Sequence, residues 1–447
     1  MLLEIIRRWR WRLLVVALIG SGAVAQGEPS PPSEAREPLT LREALARSLE
    51  KSPALAKFPY RERAAEARAL QASLSPNPEL SLKVENLAGS GRFEGADSAE
   101  VTLALSQVIE LGDKRRQRQS VATLAGEQVQ RTYERSRLEV LTDTAGRFLQ
   151  VAQAERQLAL ARTAQSLAGD VEQAARRRVD AGHTSAADLS RARIARIRAE
   201  LDVQATQRSL AIQRRHLAAS WGRTRADFGP VSAELFALPE IPDYDALSAR
   251  LEDSPMMEEL LTQERLREAQ WQLARARGKQ NLRVGAGIKR FEDTGDHAFT
   301  LSASIPLGVR DRNQGEARAR RAEYEQLASE RRALKVELNN ALYRAYQQLT
   351  QRRTEAKVLR TQALPEAERA LKRIRDGYAR GRYSYLELTD MQRERLALER
   401  EAINAAADFF QALLTLERLT GEPLTESTAQ ASNFATDATV SDQPNNP

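Results

Sequence analysis

The sequence has no cysteine and only 5% aromatic residues. Without cysteine there are no disulfides, no thiolate metal sites and no thiol nucleophile, and no lipid can be attached to a cysteine behind a leader. The three histidines, His183, His216 and His297, are isolated from one another, with no second ligand at metal-binding spacing, so no metal site is expected. There is no G-x-S-x-G elbow, no P-loop and no dinucleotide fingerprint; Gly89-Ser90-Gly91 reads as a flexible loop. Acids are abundant along helical patterns, and no pair of them stands out as an acid–base couple. An enzyme is therefore not expected, and neither is a cofactor.

Also missing near the start is an apolar run long enough to span a bilayer. Leu13 to Ile19 is well short of what a spanning helix needs. It follows a basic stretch, Arg7, Arg8, Arg10 and Arg12, and precedes Ala23-Val24-Ala25, an A-x-A cleavage site. Residues 1–25 are read as an export leader. They contain four Arg and one Glu, which accounts for much of the net charge of +7. The remaining positive charge is spread along helical patterns with few aromatics, which excludes nucleic acid as a partner.

What is present is a long Ala-, Leu-, Arg- and Glu-rich body of high helix propensity. It lies between a Pro-rich linker, 26–38, and a polar tail, 422–447, predicted to be disordered. The body repeats itself at an offset near 200 residues. Ala44-Leu45 with Ser52-Pro53 matches Ala246-Leu247 with Ser254-Pro255, and Leu80 to Val84 matches Leu282 to Ala286. Leu111-Gly112-Asp113 matches Leu307-Gly308-Val309. Gly182 with Asp188-Leu189 matches Gly381 with Glu387-Leu388, and Trp221-Gly222 matches Thr420-Gly421. Landmarks in the same order argue for a tandem duplication: 39–222 and 244–421, joined by a linker over 223–243.

Each half reads as helix, strand, strand, long helix, turn, helix. The opening helix is predicted from Thr40 to Ser73, ended by Ser75-Pro76-Asn77-Pro78. Strands are predicted at about 79–87, 99–108, 282–290 and 298–306, each with period-two alternation. Long helices are predicted from Asp113 to Asp180 and from Arg312 to Ala379, the second kinked by Pro365. Leu189, Ile194, Ile197 and Leu201 form a narrow apolar stripe backed by charge, which is coiled-coil-like. Four strands with one lipid-compatible and one polar face suit a membrane barrel but cannot close one, since about eight are needed. An open edge cannot sit in lipid, so closure requires several chains, and three would supply twelve strands. The alternative is a pair of hairpins capping a soluble helical rod.

From Leu39 to Leu424 the pattern resembles the TolC-like outer-membrane efflux family. The resemblance rests on Leu39-Thr40-Leu41 with Ala44-Leu45, on Ser75 to Leu80, and on Ala181-Gly182 and Arg380-Gly381 at the helical turns. Gln107 to Arg115, and Ile305-Pro306-Leu307 leading to Asp311 to Gly315, are similar to the branch serving heavy-metal pumps of the cobalt-zinc-cadmium (Czc) type. Asp113 departs from that branch, which usually has a second Gly there. The resemblance implies a mainly α fold with a membrane β-barrel: a homotrimer forming a twelve-stranded barrel in outer-membrane lipid and a coiled-coil-like twelve-helix tunnel in the periplasm. It implies a periplasmic adaptor and an inner-membrane pump of the resistance-nodulation-division class as partners, with the duct itself passive.

The resemblance also points to residues. The turns Gly182-His183-Thr184-Ser185 and Gly381-Arg382-Tyr383-Ser384 match the inner tip of the tunnel, where an adaptor docks; helix capping explains the same residues. Glu387 and Asp390 share a helix face and match acids that ring the closed end. In a trimer such rings favour cations, while a solvated helix face is the plainer account. Tyr378 and Asp188 match gate positions, with helix N-terminal capping the plainer account of Asp188. Tyr383 occupies the slot of the family's basic gate residue, and Arg382 lies one residue away. The implied function is the outer duct of a heavy-metal efflux pump. The alternatives are a duct for drugs or for type I protein secretion, and a non-conducting periplasmic scaffold.

Overall fold

The computed structural model describes residues 37–424. The expected leader, most of the first linker and the tail beyond Leu424 lie outside the described residues. In chain order the elements are β1 (Leu39–Thr40), α1 (Leu41–Lys51), α2 (Phe58–Ser73), β2 (Glu79–Glu85), β3 (Glu100–Ile109), α3 (Lys114–Asp180), α4 (Ala186–Ala219), β4 (Val231–Ser232), α5 (Tyr244–Ala249), α6 (Pro255–Arg277), β5 (Leu282–Phe291), β6 (His297–Ser304), α7 (Gln314–Val358), α8 (Leu364–Ala379) and α9 (Tyr385–Thr420). No described helix is long and apolar enough to cross a membrane.

The expected opening helix is two helices. Thr40 and Glu43 form a capping box that starts α1. Ser52 then takes an extended conformation, ψ 124°, because Pro53 disfavours the helical region for its predecessor. The second repeat breaks in the same way at Ser254-Pro255, with Ser254 capping α6 through Met257 N–H. These Ser-Pro pairs meet the ends of their own repeats. Gly222 lies on Pro53 and Gly421 on Pro255, both glycines at positive φ; a Cβ on Gly421 would stand 2.5 Å from the Pro255 Cδ. The first and last landmarks of each repeat are therefore one packing contact.

The long helix α3 runs unbroken for 67 residues, about 100 Å at 1.5 Å per residue. Its counterpart is interrupted as Pro365 predicts, though by a widened turn and not a break. Residues Leu359–Ala363 form a π-turn that accommodates the missing N–H and the bulk of the proline ring. Both long helices follow a residue at positive φ, Asp113 and Asn313, each at 59°. That corrects the repeat alignment: Asn313, not Val309, is the counterpart of Asp113. A glycine suits this conformation best, and Asp and Asn are the side chains that tolerate it most readily.

The helices form one layer, four abreast at each level. Near the strands the order is α2-α3-α6-α7; farther away it is α4-α3-α9-α7, with α8 continuing α7. The seam between repeats is pinned by polar contacts. Asn404 accepts from both Gln153 and Gln157 at 3.0 Å, and Gln411 donates to the Gly146 carbonyl at 3.2 Å. Apolar cores sit on either side, around Phe148, Leu217 and Trp221 in one repeat and Leu342, Phe409 and Leu416 in the other. The expected stripe on α4 divides. Leu189 turns into the core at the helical turns, whereas Ile194, Ile197 and Leu201 are exposed on the outer side of the layer.

The two hairpins join into one antiparallel sheet of order β2-β3-β5-β6. Its register sorts the side chains into two faces. One carries the rows Leu82–Leu103–Ile288–Phe299 and Leu80–Leu105–Ala286–Leu301. These side chains are uncovered, Phe299 and Leu301 each to 88%. The other face carries Ser81–Ala104–Gly287–Thr300 and Glu79–Ser106–Gly285–Ser302, followed by Lys83–Thr102–Lys289–Ala298. Gly287 has no room for a side chain, since a Cβ would stand 2.6 Å from the Leu103 carbonyl oxygen. On this face Lys289 pairs with Glu100 at 2.6 Å, and Lys83 with Glu85 at 2.6 Å.

Two outcomes follow. Leu103→Arg, on the uncovered apolar face, is expected to cost about 2–4 kcal/mol of folding stability in bilayers, and Thr102→Arg, on the polar face, much less; denaturant titration in vesicles compares them. Gly421→Ala, strained in backbone and crowded by Pro255, is expected to lower the unfolding temperature measurably, and Gly169→Ala, inside α3 where a Cβ meets no other atom, not to lower it.

Candidate functional site

At the end of the layer away from the sheet, two tight turns reverse the chain, α3 to α4 and α8 to α9. Each begins with a Schellman motif. His183 N–H donates to the Arg178 carbonyl at 2.8 Å and Gly182 N–H to Val179 at 2.9 Å. In the second turn Arg382 N–H donates to the Gly377 carbonyl at 2.8 Å and Gly381 N–H to Tyr378 at 3.1 Å. Gly182 and Gly381 supply the positive φ, 71° and 77°, that this motif needs. Each turn ends in a serine N-cap: Ser185 accepts from Ala187 N–H, and Ser384 from Glu387 N–H at 3.2 Å.

Glu387 closes a capping box. Its carboxylate accepts from the backbone N–H of Ser384 at 2.7 Å and from the Ser384 hydroxyl at 2.8 Å. These donors hold the carboxyl below its usual range, the backbone bond contributing most. Asp390 lies three residues on, exposed like Glu387, and pairs only loosely with Arg393 at 3.6 Å. Asp188, half-buried, accepts from the Thr184 hydroxyl at 2.7 Å and stands 3.5 Å from Arg191. The structure thus brings Glu387 and Asp390 onto one open face, and gives Asp188 a local partner within its own turn.

Tyr378 is elsewhere. It is 4% exposed, in a seam of Val171, Ala175, Leu371, Tyr385 and Leu388 that binds the two turns together. Burial pushes both its phenol and that of Tyr385 up. The Tyr378 hydroxyl has no hydrogen-bond partner among the described residues. Arg178 crosses from the first repeat to reach it, with its guanidinium 4.7 Å from the ring centroid and a hydrogen bond to the Tyr378 carbonyl. Sequence reading missed Arg178, because nothing local distinguishes it from the neighbouring Arg176 and Arg177. It also missed why Gly377 sits inside a helix. The Tyr383 ring occupies the space of its side chain, so that a Cβ there would lie 2.3 Å from Tyr383 Cδ2. Tyr383 therefore closes its own turn, while the side chains of His183 and Arg382 are exposed.

Glu387 has a depressed carboxyl, so its contribution to the first turn of α9 is present at neutral pH and is lost as pH falls through its folded value, below the ordinary carboxylate range. Amide-exchange protection of residues 385–388, corrected for intrinsic rates, is expected to fall on acidification, and Glu387→Gln to flatten that dependence. A dependence unchanged in the variant would count against the capping role.

Geometry of this kind has relatives. The chain is 30% identical over 415 residues to the cobalt-zinc-cadmium resistance protein CzcC of Cupriavidus metallidurans, covering 92% of this chain and 98% of that one. It is 26% identical over 310 residues to the nickel-cobalt-cadmium resistance protein NccC of Alcaligenes xylosoxydans xylosoxydans, 69% and 68% of the two chains. The fold matches the outer membrane protein VceC of Vibrio cholerae with a TM-score of 0.71 at 18% identity, over 86% of this chain and 97% of that one. The model of the outer membrane efflux protein family matches twice, at residues 44–223 and 246–422, once on each repeat. With both repeats matched, the sheet sorted into an apolar and a polar face, and the helices carried away from it to two capped turns, the chain belongs to the outer membrane efflux protein family, as a channel of the outer membrane with a periplasmic helical extension.

Proposed function

We propose that three copies of this chain close into one passive duct and that its cargo is heavy-metal cations of the cobalt, zinc and cadmium kind. Closure is supported by the sheet. β2 and β6 each have one unpaired side, and a backbone edge facing lipid leaves polar groups unsatisfied at several kcal/mol apiece. Edge-to-edge pairing of β6 with the β2 of a neighbour removes both edges at once, and three copies make a twelve-stranded barrel. The helical layer ends in the same way, with exposed Ile194, Ile197 and Leu201 on one side and Val336 and Tyr343 on the other. These faces suit heterologous packing around a ring of twelve helices.

The single observation that carries the cargo is the end-to-end similarity to CzcC, at 30% identity over 98% of that protein. The open face of Glu387 and Asp390 agrees with it. Threefold repetition would turn each acid into a ring of carboxylates, which favours cations. The turns Gly182 to Ser185 and Gly381 to Ser384 are the surface we assign to a periplasmic adaptor, which would link the duct to an inner-membrane pump of the resistance-nodulation-division class. Tyr378, buried in the seam with Arg178, would hold the two turns of one protomer together, with Asp188 beside it.

The test is tolerance of a strain lacking this gene to cobalt, zinc, cadmium, nickel and copper, beside hydrophobic drugs and detergents. A several-fold loss of tolerance restricted to some of these metals, restored by the intact gene and less well by Glu387→Gln/Asp390→Asn, is the expected result. Drug sensitivity with normal metal tolerance would reject the cargo and keep the duct. Absence of single-channel conductance from the purified protein in planar bilayers would reject the duct.

A further inference from the structure

The two repeats differ where their helices meet the strands, and the difference is in charge. In the first repeat Arg118 forms an ion pair with Glu110, Arg116 pairs with Asp113, and Lys114 is buried against Asn281. The second repeat keeps the arginine, as Arg318, but has Arg310 where the first has Glu110, each offset by 200 residues. An ion pair has become two like charges. Arg312 stands where the first repeat has Gly112. On the incoming side, Arg275, Arg277 and Lys279 stand where the first repeat has Ser73, Ser75 and Asn77, at the 202-residue offset of the strands.

None of these six cations has a carboxylate within ion-pair distance among the described residues, and all are exposed. The two acids in the same segments are already engaged: Glu316 with Arg320 at 2.8 Å, and Asp311 as acceptor of Asn313 N–H at 2.8 Å. The fold gathers the cations into one place. Gly278 lets the Arg312 backbone come so close that a Cβ would lie 2.3 Å from its carbonyl oxygen. The Lys279 stem lies equally close over Gly112 of the first repeat. Unpaired like charges held together cost stability, and the first repeat shows that this junction folds without them.

Two apolar features share the position. Leu307 and Val309, between the end of β6 and Arg310, are 81% and 80% exposed. Trp271 stacks on Tyr324 at 6.2 Å with Arg275 and Arg321 over its ring. It lies two turns before the end of α6, about 10 Å from the strands. Exposed aliphatic side chains, arginines and an aromatic pair following one another within about 10 Å are the composition of a membrane–water interface.

We propose that this junction binds the phosphate headgroups of anionic phospholipid in the periplasmic leaflet of the outer membrane. Leu307 and Val309 sit among the acyl chains, and the six cations meet the phosphates. The helices extend into the periplasm, so the junction lies at that leaflet and not at the outer one. In a trimer the surface occurs three times, separated by first-repeat junctions in which Arg116 and Arg118 are ion-paired and Lys114 and Arg115 are bonded to Asn281 and Ser75. Lipid binding of this kind does not depend on the metal cargo.

The experiment uses full-length protein in detergent, equilibrated with equal amounts of phosphatidylglycerol, phosphatidylethanolamine and lipopolysaccharide and washed. The retained lipid is then extracted and quantified by mass spectrometry. Phosphatidylglycerol is expected in roughly tenfold excess over phosphatidylethanolamine, about what one to two fully engaged cations supply at about fivefold each. Arg277→Gln/Lys279→Gln/Arg310→Gln/Arg312→Gln is expected to bring the two lipids near parity, and Arg373→Gln/Arg375→Gln, far along α8, to leave the excess unchanged. Should the fourfold variant fail to assemble, the natural protein is read at about 1 M salt, where the screening length falls to about 3 Å and the excess must shrink. Equal retention by the natural protein overturns the proposal. So does an excess that survives the substitutions or the salt, and so does preferential retention of lipopolysaccharide, which would place the cations against the other leaflet.

Discussion

Along the outer sides of β2 and β6 run backbone N–H and C=O groups that no strand among the described residues pairs with. In water such groups bond to solvent; in hydrocarbon they have nothing. The apolar face built by the register of the four strands commits the sheet to hydrocarbon, and the proposed ring of copies would give the unpaired edges their partners. The helical layer repeats the condition in weaker form, since a few uncovered side chains on α4 and α7, among them Ile194, Leu201 and Val336, are apolar. Assembly is thus strongly dictated at the sheet and only favoured along the helices. That ordering suits a structure whose membrane part must be sealed.

Much of this was readable from residue order. Alternation with period two exposed all four strands, and the spacing of Gly, Pro and Ser exposed the turns and the duplication, because these residues act through local backbone geometry. Positive φ at Gly182 and Gly381, extended backbone before Pro53 and Pro255, and the widened turn before Pro365 are all properties of one or two residues. The break at Ser52 was signalled by its proline, but strong helix formers on both sides masked it. The counterpart of Asp113 was misplaced by four residues because Leu307-Gly308 imitates Leu111-Gly112 in composition and not in conformation. Only the backbone shows that Asn313 carries the left-handed angle.

At the two turns the limit was of a different kind. That Glu387 and Asp390 share a face follows from helical periodicity. That Glu387 spends its lone pairs on Ser384 follows from the capping-box spacing. The bridge from Arg178 to Tyr378 follows from neither, since it joins residues 200 apart through the packing of two hairpins. The same holds for Tyr383 over Gly377, where a ring from one side of a turn fills a gap left on the other. Contacts that depend on tertiary placement leave no trace in local sequence, and at this end of the molecule they decide which side chains remain open.

The polar face of the sheet is made of small side chains at mid-height, with Ser81, Ala104, Gly287 and Thr300 in one row and Ser106, Gly285 and Ser302 in the next. At those two levels Glu79 is the one long side chain on this face, paired with Arg283, and the lysines beyond, Lys83 and Lys289, are held in ion pairs with Glu85 and Glu100. An ion passing there keeps its hydration shell, and avoids the cost of order 20 kcal/mol that Born theory assigns to stripping an ion into a medium of low dielectric constant. A wall of this kind exchanges discrimination for throughput: it lets a hydrated ion diffuse almost as in bulk solution, and leaves the choice of what enters to the opposite end of the chain.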